Sequence, residues 1–138
     1  MATWRDLVRY LKFDTNYEVI REEPDEIRIL YKIDERDEDD EGRTQVMIIA
    51  REVMDGREDW VQIATPFAKV SDVDLHTVLV ELGMTAVVGG AVIMGDYLVL
   101  RHSLPLSNLD GNEFEDPLDL VAQSADDLEN IFTGGDNY

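Results

Sequence analysis

The chain has no cysteine, three lysines (Lys12, Lys32 and Lys69), two histidines and no apolar run long enough to cross a bilayer. Without cysteine there is no disulfide framework, no thiolate nucleophile and no Cys-type zinc site. The histidines, His76 and His102, stand too far apart in sequence to form a local metal motif. The most apolar stretch, Met84 to Met94, falls short of the roughly 20 residues a membrane helix needs, and Gly89 and Gly90 interrupt it. The opening Met1-Ala2-Thr3-Trp4-Arg5-Asp6 carries charge within an amphipathic pattern and lacks the form of a signal peptide, so a cytoplasmic protein is expected.

Acid is what the chain has in excess. Its 31 Asp and Glu against 12 Lys and Arg give a formal charge of −19. A field of that sign repels phosphate backbones and anionic lipid, which argues against nucleic-acid and membrane partners. The acid-rich, lysine-poor balance is similar to that of proteins from extreme halophiles, where a Debye length of about 3 Å at molar salt screens carboxylate repulsion. At 138 residues the chain has the size of one domain with one core.

Hydropathy spacing supplies the elements. Trp4, Leu7, Val8 and Leu11 recur at helical intervals behind Thr3, a good N-cap. Strands are expected at Tyr17 to Ile20 and Ile27 to Ile33, joined through Glu23-Pro24-Asp25, and at Gln45 to Val53 and Trp60 to Ala64, joined through Asp55-Gly56. The fourth strand is expected to end at Pro66, which lacks an N–H for a sheet ladder. Leu75, Val78, Leu79 and Leu82 predict a second helix capped by Ser71 or Asp72 and ended by Gly83 or Gly89. Ala91 to Met94 and Tyr97 to Leu104 predict a second hairpin around Gly95-Asp96, whose Gly-first order suits a type II′ turn. Phe114, Leu118, Val121, Ala125, Leu128 and Phe132 predict a last helix, with Pro117 in or before its first turn. The expected fold is α+β, an antiparallel sheet with helices packed against it, in the order α-β-β-β-β-α-β-β-α. Residues 1–132 make the single domain and 133–138 a frayed tail.

Motifs that carry chemistry fail on inspection. Asp37, Asp39, Glu41 and Gly42 fit the first half of a calcium loop, but Ile48 stands where a bidentate Glu is required, so the run 34–42 reads as a solvated acidic loop. Gly90 and Gly95 have Walker A spacing, but Asp96 replaces the phosphate-gripping lysine. Ser103 adjoins His102, yet neighbouring strand residues point to opposite faces, which rules out a serine–histidine pair there. No catalytic, cofactor-binding or metal-binding residue is assigned.

The stretch Gly95-Asp96-Tyr97-Leu98-Val99-Leu100-Arg101-His102-Ser103-Leu104-Pro105-Leu106, with the later Ala125-Asp126-Asp127-Leu128 and the element order, resembles the type III secretion chaperone-like fold and the YbjN-type proteins that share it. The resemblance implies a small, acidic, non-enzymatic protein that forms homodimers and binds another protein. Strands apolar on both faces, such as Val46-Met47-Ile48-Ile49-Ala50, point the same way, to an apolar patch left on the sheet or the second helix. The candidate interface residues are Trp60, His102, Leu75, Val78 and Leu79. Two other classes stay open at this level: a carboxylate- or metal-dependent small hydrolase, with His102 in a pocket of carboxylates, and an acidic mimic of nucleic acid.

Overall fold

Trp4, Leu7 and Leu11 lie on one side of a helix, and the computed structural model, which describes residues 1–33, 43–86 and 88–133, buries all three. This helix, α1 (Trp4–Phe13), begins where the Thr3 hydroxyl accepts from the Asp6 N–H at 3.2 Å. The Trp4 indole donates to the Pro24 carbonyl at 2.9 Å, which ties α1 to the first hairpin turn. Four strands follow: β1 (Glu18–Glu23), β2 (Glu26–Lys32), β3 (Thr44–Met54) and β4 (Glu58–Lys69). Asp55 and Gly56 both have positive φ, 53° and 67°, as the turn between β3 and β4 requires. A single 3-10 turn leads to α2 (Leu75–Thr85), then β5 (Gly90–Met94), β6 (Tyr97–Pro105) and α3 (Gly111–Thr133). Gly95 has φ 62° and Asp96 does not, in keeping with the type II′ turn.

The α+β expectation and its element order hold. Among the described residues, six strands form one antiparallel sheet in the order β1-β2-β3-β4-β6-β5. Cross-strand pairing puts Ile29, Met47, Ile49, Ile63 and Leu100 on one face, where all are fully buried. Over that face lies α3, whose Phe114, Leu118, Val121, Ala125 and Leu128 are also fully buried, and α1 joins the same core. At the start of β3, Arg43 Nε meets Asp126 Oδ1 of α3 at 2.9 Å in a largely buried ion pair, which fixes the helix over the sheet.

Three sequence expectations need correction. β4 does not end at Pro66 but runs on to Lys69. Ile48 pairs with Ala64, so a regular ladder would bring Val46 opposite Pro66, with the proline nitrogen turned toward β3. Side chains replace the missing bond: the Thr65 hydroxyl donates to the Val46 carbonyl at 2.8 Å, and Gln45 Nε2 donates to the Pro66 carbonyl at 2.8 Å. The other ladder of β4, to β6, continues past the proline through a register shift between Pro66 and Ala68. The α2 cap is Asp74 rather than Ser71 or Asp72, because the 3-10 turn takes up those residues, and the helix passes through Gly83 and stops at Thr85. Gly89 lies beyond the helix; its φ is 87° and a Cβ there would sit 2.7 Å from the Arg101 carbonyl, so only glycine fits. Finally, α3 starts at Gly111, which leaves Pro117 in its second turn. Asp110 sets that earlier start: its carboxylate accepts from the Glu113 N–H at 3.0 Å and its carbonyl from the Phe114 N–H at 3.3 Å. The expected acidic loop 34–42 lies outside the described residues, as does 134–138 of the expected tail 133–138, whose first residue, Thr133, ends α3.

Candidate functional site

Apolar residues occur on several sides of α2, and the domain covers one of them. Asp74 holds the start of this helix: its Oδ2 accepts from the Thr77 hydroxyl at 2.7 Å and from the Thr77 N–H at 3.3 Å. Those bonds, the hydroxyl's first, hold the Asp74 carboxyl below the usual carboxylate range. Val78 faces inward and is buried, whereas Leu75, Leu79, Val80 and Met84 are exposed, Leu79 by 63% and Met84 by 71%. On β5, Ile93 and Met94 are exposed as well. A cleft of about 370 Å³ separates the two elements, lined by Leu75, Val78, Leu79, Ala91, Ile93 and Leu98.

Charge sets this region apart. Between Leu75 and Gly95 the sole carboxylate is Glu81, and from Leu82 to Gly95 no residue is ionisable. In a chain of net charge −19, an exposed surface with so little charge is a place where water is displaced with little electrostatic cost.

The five candidate interface residues do not form one patch. Leu75 and Leu79 belong to the cleft, and Val78 is its floor and part of the core, closed to a partner at the surface. Trp60 and His102 lie elsewhere, on opposite faces of the sheet: Trp60 pairs with Pro105, and His102 pairs with the buried Ile63. Trp60 is half-buried on the face away from α3, and its indole N–H is enclosed without a hydrogen-bond partner. Nearby, Glu52 accepts from Gln62 Nε2 at 2.8 Å and from the Ser103 hydroxyl at 3.3 Å. Sequence reading missed Val80, Met84, Ile93 and Met94. The signal available for Met84, Ile93 and Met94 is the absence of charge from Leu82 to Gly95, and Val80 has none.

A second concavity, of about 540 Å³, includes Asp14, Tyr17, Glu18, Tyr31 and Glu115 in its lining. The Tyr17 and Tyr31 rings are 5.9 Å apart, and the Tyr31 hydroxyl donates to Asp119 at 2.5 Å. Burial first, and then a hydrogen bond and repulsion from Glu115, push the nearby Tyr10 phenol up to about 12. Burial, with Glu115 and Asp119 beside it, raises Tyr17 as well. Both phenols therefore hold their protons more tightly folded than unfolded. Their contribution to stability is complete below the ordinary phenol value of 10.0 and is lost as pH rises from there through the folded values. Denaturant titrations at stepwise higher pH are expected to show stability falling above pH 10, with a shallower fall in Tyr10→Phe. Identical slopes for wild type and variant would remove Tyr10 from the explanation.

Among the described residues no three His, Asp or Glu side chains are grouped so as to hold a metal ion, and no helix is long and apolar enough to cross a membrane. No protein-family model, curated protein or solved structure matches the chain.

Proposed function

We propose that this chain is a non-enzymatic protein-binding module, chaperone-like or regulatory, that works as a homodimer through the apolar surface of α2 and β5. The observation that carries this reading is the exposure of Leu79, Met84 and Ile93 in a stretch almost free of charge, on a molecule whose surface is otherwise acid-rich. Leu75, Leu79 and Ile93, gathered at one cleft, mark an interaction surface, whereas isolated apolar side chains do not. The highly acidic remainder suits a protein that stays dissolved at high salt and makes its specific contacts where it is uncharged.

Light scattering over a range of protein concentrations at high salt tests the reading. The expected mass is twice the 15.7 kDa of one chain, and Leu79→Asp combined with Met84→Asp is expected to return it to one chain without loss of the far-UV circular dichroism signal. Both residues are exposed in the single chain, so the double change costs the fold little. A wild-type mass of one chain at about 100 µM, well above a micromolar dissociation constant, would count against the homodimer.

A further inference from the structure

The two edges of the sheet are built differently. β1, at one edge, carries Glu18, Arg21, Glu22 and Glu23 and a register irregularity between Val19 and Arg21, which are features that discourage another strand from docking. β5, at the other edge, reads Gly90-Ala91-Val92-Ile93-Met94, with no charge, no proline and an unbroken register to β6. Among the described residues nothing hydrogen-bonds to its outer side.

The hairpin turn determines which backbone groups face outward. Met94 and Tyr97 flank the two-residue Gly95-Asp96 turn and so form a hydrogen-bonded pair. Alternation then directs the N–H and C=O of Met94, Val92 and Gly90 toward β6. Those of Ala91 and Ile93 point away from it, to the open edge.

We infer that β5 pairs edge to edge with β5 of a second copy of this chain, antiparallel about a two-fold axis at Val92. Ala91 then exchanges hydrogen bonds with the partner subunit's Ile93, and Ile93 with the partner subunit's Ala91, so all the outward groups of both strands are used at once. Side-chain parity agrees. Ala91 and Ile93 lie on the sheet face that carries the core and the α2 cleft, so the joint sets the exposed α2 surfaces of the two copies on the same side of one continuous sheet. Self-complementarity favours a second copy as the occupant, since one register uses every outward group of both strands, and although two chains of −19 repel through their acid-rich surfaces, the stretch from Leu82 to Gly95 brings no carboxylate of one against a carboxylate of the other. This joint rests on the homodimer reading and specifies its geometry.

Amide hydrogen exchange followed by NMR, at protein concentrations on either side of the dimer transition seen by light scattering, tests the joint. The amides of Ala91 and Ile93 are expected to exchange slowly in the dimer and rapidly after dilution, while those of Val92 and Met94, bonded to β6, stay slow throughout. Ile93→Pro removes an outward N–H without touching the bonds to β6, and is expected to weaken dimerisation about 100-fold, since two-fold symmetry counts each lost bond twice. Ile93→Ala keeps that N–H and is expected to weaken it by about 10-fold or less. Unchanged far-UV circular dichroism and melting of the dilute variants would show that both fold. A doubled mass with fast exchange at Ala91 and Ile93, or equal weakening by the proline and alanine changes, overturns the strand pairing and leaves the homodimer standing. One-chain mass at every concentration overturns both.

Discussion

Phe114→Ala is expected to lower the free energy of unfolding by about 4 kcal/mol, measured by denaturant titration at fixed salt. Phe114 is fully buried and, with Phe67, is among the largest fully buried side chains. It is the first apolar anchor of α3, one turn past the Asp110 cap, where the helix meets the core that it shares with α1. Truncation removes the ring's burial and leaves a cavity that the helix cannot close, because the Asp110 cap at one end and the Arg43–Asp126 ion pair further along hold it in place. A loss of that size is a large part of the 5–15 kcal/mol or so available to a domain, and corresponds to a fall in Tm of roughly 10–20 °C. The control is Phe13→Ala: that ring is 72% exposed beside Lys12, and its removal is expected to cost less than about 0.5 kcal/mol. Similar losses at the two positions would mean that the helix-covered core is not what holds the domain together.

Removing salt is the second large perturbation. With −19 net charges on one domain, repulsion between carboxylates acts against the compact state, and the cations are too few to neutralise it. Among the described residues, the ion pairs Arg51 with Asp59 at 2.9 Å and Lys12 with Glu22 at 3.0 Å involve partly exposed side chains and offset little of that repulsion. Stability is expected to rise by several kcal/mol, on the order of 3 or more, between about 0.05 M and 1 M sodium chloride, as the Debye length falls to about 3 Å. Most of the gain should come in the first few tenths molar, where the screening length shortens most. Sulfate matched in ionic strength should then act like chloride. A gain that instead grows linearly into the molar range, and more steeply in sulfate, would assign the effect to strengthened burial of apolar surface rather than to charge.

The elements were legible because each has a strong local pattern. The hairpins follow from Asp55-Gly56 and Gly95-Asp96, and α3 from Phe114, Leu118, Val121, Ala125 and Leu128 at helical spacing. Less legible was whatever depends on which way a backbone group points. Pro66 reads as a strand stop, and the strand continues because its nitrogen faces a ladder that Thr65 and Gln45 complete with their side chains. The start of α3 was hidden in the same way: Pro117 suggests a first turn, while the cap that fixes the boundary is Asp110, earlier in a run with no apolar period. For the candidate site, Leu75 and Leu79 could be found from periodicity, but periodicity does not tell a covered apolar face from an uncovered one. Val78 shares the spacing and is buried, while Val80 and Met84 break it and are exposed. The number of helices available to cover the α2 surface decides exposure, and that is a property of the whole assembly.

The position of α3 after all six strands in sequence also affects the order in which the molecule is made. β1 to β4 form a meander between near neighbours in sequence, which is quick to assemble, yet the part of their core face that α3 covers stays bare until residues 111–133 exist to lie across it. During synthesis all six strands leave the ribosome before this cover, and the core closes only once α3 has emerged. Through that interval the charges that repel like chains in the finished protein also keep the nascent sheets of neighbouring copies apart. The same acidity that burdens the folded state thus protects the half-made one from aggregation.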